Sequence, residues 1–277
     1  MLKATLPELV QNINSVAAKV NTLNATVDIA TKTGGAKKGK ITEYQEIRGY
    51  VLLRKPSTLR MIGLFPVVRN RLFDMVSTGE NFRLSLPTQN KFIVGTSELP
   101  HHAKESSLEN VRPQHVLDAL LVREIPPNDI AVLESGMETV RDTKTNKVAD
   151  QADYIVAVIQ QQPDKTWALS RKIIFSRADL RPRKQILYDK LGNIMTIASY
   201  ENYGNYKGIM FPNIIQIERP MEEYSIQLAI VKLTLNEALK DDQFALAQPP
   251  GSQLVRLDNE AQSSDPKSDS PSPSHAR

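Results

Sequence analysis

The sequence predicts a mainly β (α+β) protein in which one large, strongly curved antiparallel sheet wraps an N-terminal helix and a helical insertion in mid-chain. Three observations predict it. About twelve segments alternate apolar and polar residues with period two and follow one another through short turns. Helical spacing of apolar residues occurs at the N terminus and once near the middle. No helices alternate with the strands, as a parallel α/β sheet would require. A meander this long curls rather than staying flat.

The elements follow in order. Leu6, Leu9, Val10, Ile13, Val16, Ala17 and Val20 recur at spacings of three and four, which is one helical face. Pro7 falls in the first turn and Thr5 suits the N-cap. Residues 24–33 read as a strand, and the Gly34-Gly35 and 37–40 stretch as a basic turn. Residues 41–54 read as one long strand, with Ile47, Gly49, Val51 and Leu53 on one face. Pro56-Ser57 breaks it, and 58–65 resumes with Leu59, Met61, Gly63 and Phe65 facing one way. Strands at 70–77, 82–86 and 90–94 complete this first meander. Residues 96–112 are polar and irregular. Val116, Leu117, Leu120 and Leu121 then form a helical stripe over 113–123, stopped by Pro126-Pro127. Strands return at 137–142, 153–160, 166–176, 183–189, 194–200, 211–219 and 224–235, with a short element at 241–244 and a closing strand at 253–257.

Composition narrows the function. The 277 residues contain no cysteine, so thiolate metal sites, disulfides and cysteine nucleophiles are excluded. No apolar run reaches the length of a membrane-spanning helix. Residues 1–20 lack the basic start, apolar stretch and cleavage site of a secretory leader. The chain is expected to be either cytoplasmic or a mature form from which a leader has gone. Residues 1–257 are expected to form one domain, and 258–277, rich in Ser, Pro and Asp, a disordered tail. The net charge of +4 (35 basic minus 31 acidic) hides an uneven distribution. Residues 32–71 carry ten Lys or Arg against Glu43 and Glu46. Arg171, Lys172, Arg177, Arg181, Arg183 and Lys184 form a second basic group. Either group suits an anionic membrane surface or partner, or simply a solvated sheet face. No nucleic-acid motif accompanies the charge.

Several short motifs occur in a shared order. They are the stretch Gly49-Tyr50-Val51-Leu52-Leu53-Arg54-Lys55-Pro56-Ser57-Thr58-Leu59-Arg60, the turn from Asp74 to Phe82, Tyr188-Asp189-Lys190-Leu191-Gly192, Phe211-Pro212-Asn213-Ile214-Ile215, and Asn236 with Asp241-Asp242-Gln243-Phe244 and Pro249-Pro250-Gly251. In this order, after an N-terminal helix, they resemble the bacterial lipoprotein carrier family of LolA/LolB type, over about residues 2–257. The resemblance implies an incomplete antiparallel β-barrel closed by helices around an apolar cavity. It implies non-catalytic binding of acyl chains of lipoproteins or lipids, for carriage or sorting in the bacterial envelope, in the periplasm or at a membrane anchor. Lys55 takes the place of the family's basic residue before the proline, a lipoprotein-handling position, and Arg60 matches a frequent family arginine. The long insertion at 96–127 and the acidic-serine tail depart from the family pattern.

An acyl cavity needs an apolar concave lining and no chemistry. Val51, Leu53, Leu59, Met61, Phe65, Phe73, Met75, Phe82, Leu84 and Leu86 are the expected lining, although period-two apolar residues equally make plain core. Lys55 and Arg60 are the expected contacts to a partner or head group. No catalytic motif, metal ligand set or cofactor signature is present, and a monomer is expected. His101-His102 is a weak metal signal in a polar segment. Residues 113–123 read either as a movable lid or as a permanently docked helix. The alternative function is an envelope module that docks partners through the curved sheet and basic face, without lipid cargo.

Overall fold

In a computed structural model, the described residues are 1–35, 39–96, 113–141, 146 and 148–257. The His101-His102 pair, Lys37, Lys38 and the 258–277 tail lie outside them. Among the described residues a single sheet of fifteen strands runs through the molecule. The strands are β1 (Thr22–Thr33), β2 (Thr42–Glu43), β3 (Ile47–Arg54), β4 (Thr58–Leu64), β5 (Arg71–Ser77), β6 (Asn81–Leu86), β7 (Lys91–Thr96), β8 (Ile130–Arg141), β9 (Val148–Gln161), β10 (Trp167–Ser176), β11 (Pro182–Tyr188), β12 (Ile194–Tyr206), β13 (Ile209–Arg219), β14 (Tyr224–Leu235) and β15 (Gln253–Arg256). The helices are α1 (Leu6–Lys19) and α2 (Pro113–Leu120).

The sheet order is β15-β7-β6-β5-β4-β3-β1-β14-β13-β12-β11-β10-β9-β8. Two local meanders, β3–β7 and β8–β13, are thus joined at the centre by β1 pairing with β14. Where the sequence suggested one strand over 41–54, β2 and β3 both pair with β1. From Glu43 to Ile47 the chain takes four steps, while its partner takes three from Lys32 to Ile29. One residue therefore bulges, and the strand bends there. β8 begins at Ile130 rather than at 137. It is an edge strand whose apolar residues lie on both faces, Ala131 and Leu133 against the core and Ile130 and Val132 exposed, so its hydropathy does not alternate.

β15 departs from the antiparallel rule, running parallel to β7. The cause is the connection from β14. Residues 236–252 cross the convex face like a strap and reach the far edge in the direction of β7. Arg54 Nη1 donates to Leu239 O at 3.2 Å, Arg60 Nη1 to Gln243 O at 2.7 Å and Arg83 Nη1 to Leu246 O at 3.1 Å. Phe244 and Leu246 pack on Val76 and Phe92 beneath the strap.

Both helices occupy the concave side. α1 starts where Glu8 accepts hydrogen bonds from the Thr5 N–H (2.7 Å) and hydroxyl (2.8 Å), with Pro7 in its first turn. Leu9 and Ile13 pack on Val156, Val158, Ile173 and Phe175 of β9 and β10. α2 buries Val116, Leu117, Ala119 and Leu120 against the central strands and the β3–β7 wall.

Candidate binding site under the mid-chain helix

Strand register makes the inner face of the β3–β7 wall. Cross-strand partners share a face, so Ala25, Val51, Met61, Met75, Leu84 and Ile93 form one unbroken apolar row over six strands. Leu23, Leu53, Leu59, Ser77 and Phe82 form the next row. A third holds Gly49, Gly63 and Phe73. Gly63 has no side chain because the Phe73 ring fills that space: a Cβ there would lie 2.3 Å from Phe73 Cε1.

Nine of the ten expected lining residues therefore share one surface, and all nine are buried. The tenth, Phe65, does not join them. β4 ends at Leu64, and Phe65 turns into the 65–70 loop, donating its N–H to Asn70 O at 2.9 Å. The surface is not an open cavity. α2 packs on part of it, and a void of about 20 Å³ lies between the strand residues Met61, Phe73, Met75, Leu84, Ile29, Thr31 and Ile226. That is room for about one water.

The helix is held by polar side chains from the other half of the sheet. Tyr200 Oη donates to Ala119 O at 2.9 Å, Gln185 Nε2 to Asp118 O at 3.1 Å, and Arg171 Nη2 to Glu124 O at 2.7 Å. Asn14 of α1 clasps Ile125, accepting from its N–H at 2.8 Å and donating to its carbonyl at 3.2 Å. Burial pushes the Tyr200 phenol well above its ordinary range, so the hydroxyl stays a donor. These latches went unnoticed in the sequence. A signal was available: Arg171 alternates with Ile173 and Phe175, a charge on an otherwise apolar face.

Two larger clefts flank the docked helix. One, of about 530 Å³, lies between α1, residues 120–122 and the β12–β13 region, with Tyr203 and Phe211 in its wall. The other, of about 810 Å³, lies between Lys55, the segment 115–126 and β10–β13. Lys55 donates its ammonium to Ala17 O in the last turn of α1. Burial lowers the Lys55 pKa, and the Glu124 carboxylate opposes that shift.

Arg60 sits elsewhere. It points to the convex face, forks onto buried Asp74 at 3.0 and 2.7 Å, and holds the strap. The basic stretch of residues 32–71 is similarly occupied. Arg48 pairs with Asp28, Arg54 with Asp241, Lys32 with Glu43, and Arg71 with Asp74. In the second group, Arg183 and Lys184 pair with Glu138, and Arg183 also with Asp153. Arg177 stacks over Tyr154. Lys32, Arg48, Arg60, Arg183 and Lys184 of the expected basic groups are cross-strand ties.

No family model and no curated protein matches the chain. Among solved structures it is similar to a LolA superfamily protein from Nitrosomonas europaea, with a TM-score of 0.51 and 15% identity over 88% of this chain and 99% of that one. It is similar to a DUF1329 family protein from Desulfovibrio piger, with a TM-score of 0.50 and 15% identity over 86% and 94% of the two chains. An outer membrane lipoprotein-sorting protein domain from Vibrio parahaemolyticus overlaps at a TM-score of 0.47 and 14% identity, over 86% and 94%. The likeness is one of fold. The shared feature is one large, curved, mainly antiparallel sheet with helices on its concave side.

Proposed function

We propose that this protein binds acyl chains of lipoproteins or lipids, without catalysis, and carries or sorts them in the bacterial envelope. The observation that supports this best is the pair of in-register apolar rows on β3–β6, closed by a helix of eight residues. In this reading α2 is a displaceable cover. Burying Val116, Leu117 and Leu120 contributes roughly 5–9 kcal/mol, at about 1.5–3 kcal/mol per side chain. An acyl chain burying about fourteen methylenes gains ~11 kcal/mol before its ordering cost. Exchange of one cover for the other is therefore close to balanced, as reversible carriage requires. Met61 and Met75 at the middle of the row adapt to irregular chains.

Lys55, at the junction of α1 and the 810 Å³ cleft, is the proposed contact to the cargo's head group or to a partner. Arg60 serves the fold instead. The site of action is the periplasm or the envelope surface, with lipoproteins, lipids and envelope transport proteins as partners. The test is displacement of a fluorescent fatty acid by palmitate. Saturable uptake at micromolar concentration is expected, and Lys55→Glu should impair transfer to acceptor vesicles. No uptake at any concentration would overturn the proposal.

A further inference from the structure

The larger cleft contains a feature that apolar cargo does not explain. Arg171 is only 6% exposed, yet among the described residues no carboxylate lies within 4 Å of its guanidinium. Its one hydrogen bond goes to a neutral acceptor, the Glu124 carbonyl. A neutral acceptor compensates a buried charge poorly. The neighbouring charges in the cleft are already matched, Arg123 by Asp118 and Arg219 by Glu222. Among the described residues, Lys55 and Arg171 line the cleft without an ion pair, and Glu124 is the lining carboxylate without one. Asp129, outside the lining, and Asp118 act on Arg171 from beyond ion-pair distance and compensate it only in part.

Register explains how this charge is placed. Arg171 on β10 is opposite Leu187 on β11, and Leu187 is opposite Thr196 on β12. Thr196 accepts a hydrogen bond from Arg219 Nη1 of β13 at 2.7 Å. One row across four strands, about 14 Å wide at ~4.8 Å per strand, thus carries a guanidinium at each end. Gln185 lies two residues from Leu187, on the same face. The buried Arg219 Nε has no hydrogen-bond partner, so this wall keeps one unused donor, beside two unpartnered acceptors, Gln185 Oε1 and Glu222 Oε2. Leu117, Leu121 and Val122 make the facing wall apolar.

We infer that this cleft is a binding site for an oxyanion, phosphate or carboxylate, with Arg171 as its principal ligand and Lys55 at its margin. The opposing apolar wall suits an oxyanion borne by an amphiphile. The inference deepens the function proposed above, since Lys55 borders this same cleft, and it can fail alone, because Arg171 and the apolar rows belong to different halves of the sheet. Bound anion competes with Glu124 O for the Arg171 guanidinium, which couples the cleft to the latch on α2.

The test compares dodecyl phosphate, dodecanol and inorganic phosphate on the full chain by calorimetry. Dodecyl phosphate should bind at least tenfold tighter than dodecanol. That advantage should shrink from 50 to 500 mM NaCl and vanish in Arg171→Gln. Equal affinity for the two amphiphiles, or an advantage that survives Arg171→Gln, would overturn the inference. Should Arg171→Gln not fold, side-chain NMR of the wild type decides. The Arg171 Nε–Hε signal should shift saturably with dodecyl phosphate, and a stationary signal refutes the site. Inorganic phosphate separates the sources. A saturable shift with phosphate alone identifies a free-oxyanion site, and a shift with dodecyl phosphate only identifies a lipid head-group site. Acyl uptake without any anion preference would leave the function proposed above standing and remove this site alone.

Discussion

Removing one hydroxyl, in Tyr200→Phe, tests whether α2 is a cover or a permanent part of the core. Tyr200 is buried on β12, and its only polar task is the 2.9 Å bond to Ala119 O near the end of α2. Losing it leaves the Ala119 carbonyl unsatisfied, at a cost of about 1–3 kcal/mol. At about 1.5 kcal/mol, and ~2–4 °C per kcal/mol for a chain of this size, Tm should fall by roughly 3–6 °C. The same energy favours the undocked helix by about tenfold. If undocking precedes acyl uptake, the apparent Kd should fall by the same factor, because the competent state is then minor. A thermal scan and a fatty-acid displacement titration read both effects. A lower Tm with unchanged or weaker lipid affinity would refute the cover and return α2 to the core.

Asp74 is 1% exposed and receives both Arg60 and Arg71, so Asp74→Ala should destabilise by about 3–5 kcal/mol in urea unfolding; a loss under 1 kcal/mol would show the convex ties to be dispensable. Gly63→Ala would force the Phe73 ring out of its place and should cost about 1–3 kcal/mol, read as a lower urea midpoint. Burial raises the Asp118 carboxyl pKa above its unfolded value of about 3.9, with Arg123 and Gln114 opposing the shift. A raised pKa gives stability that is complete below pH ~3.9 and is lost as pH rises through the folded pKa. Asp118→Asn should therefore gain stability relative to wild type as pH rises above ~3.9, and a gain that does not change with pH would contradict the burial effect.

The strands were legible because one side of each faces a core, and alternation records that fact residue by residue. Val51, Met61, Met75 and Leu84 could be placed on one face before any pairing was known. Phe65 was misplaced because alternation does not say where a strand stops. β8 was half hidden because apolar residues occupy both its faces, Ala131 and Leu133 inward and Ile130 and Val132 outward. The helix over the apolar rows was legible from its stripe of Val116, Leu117 and Leu120, and what holds it there was not. Docking of α2 depends on Tyr200, Gln185 and Arg171, which meet it from 47 to 81 positions away. The roles of Arg54, Arg60 and Arg83 were hidden likewise, since their acceptors lie in a strap more than 160 positions downstream. A run of positive charge reads either as a surface for a partner or as a solvated sheet face, and half of it, Lys32, Arg48, Arg54, Arg60 and Arg71, ties the sheet and strap together.

The pairing of β1 with β14 has a consequence for how the molecule assembles. Each meander is local in sequence and can nucleate by itself. Their junction joins residues such as Leu23 and Leu235, which are 212 positions apart. Closing so long a loop is entropically slow, and non-local sheets of this kind fold late. Until almost the whole chain has emerged, two half-sheets with apolar inner faces and open edges must coexist without sticking to other chains. The order of synthesis thus makes the centre of the finished sheet the last part to form, and the step most dependent on chaperones.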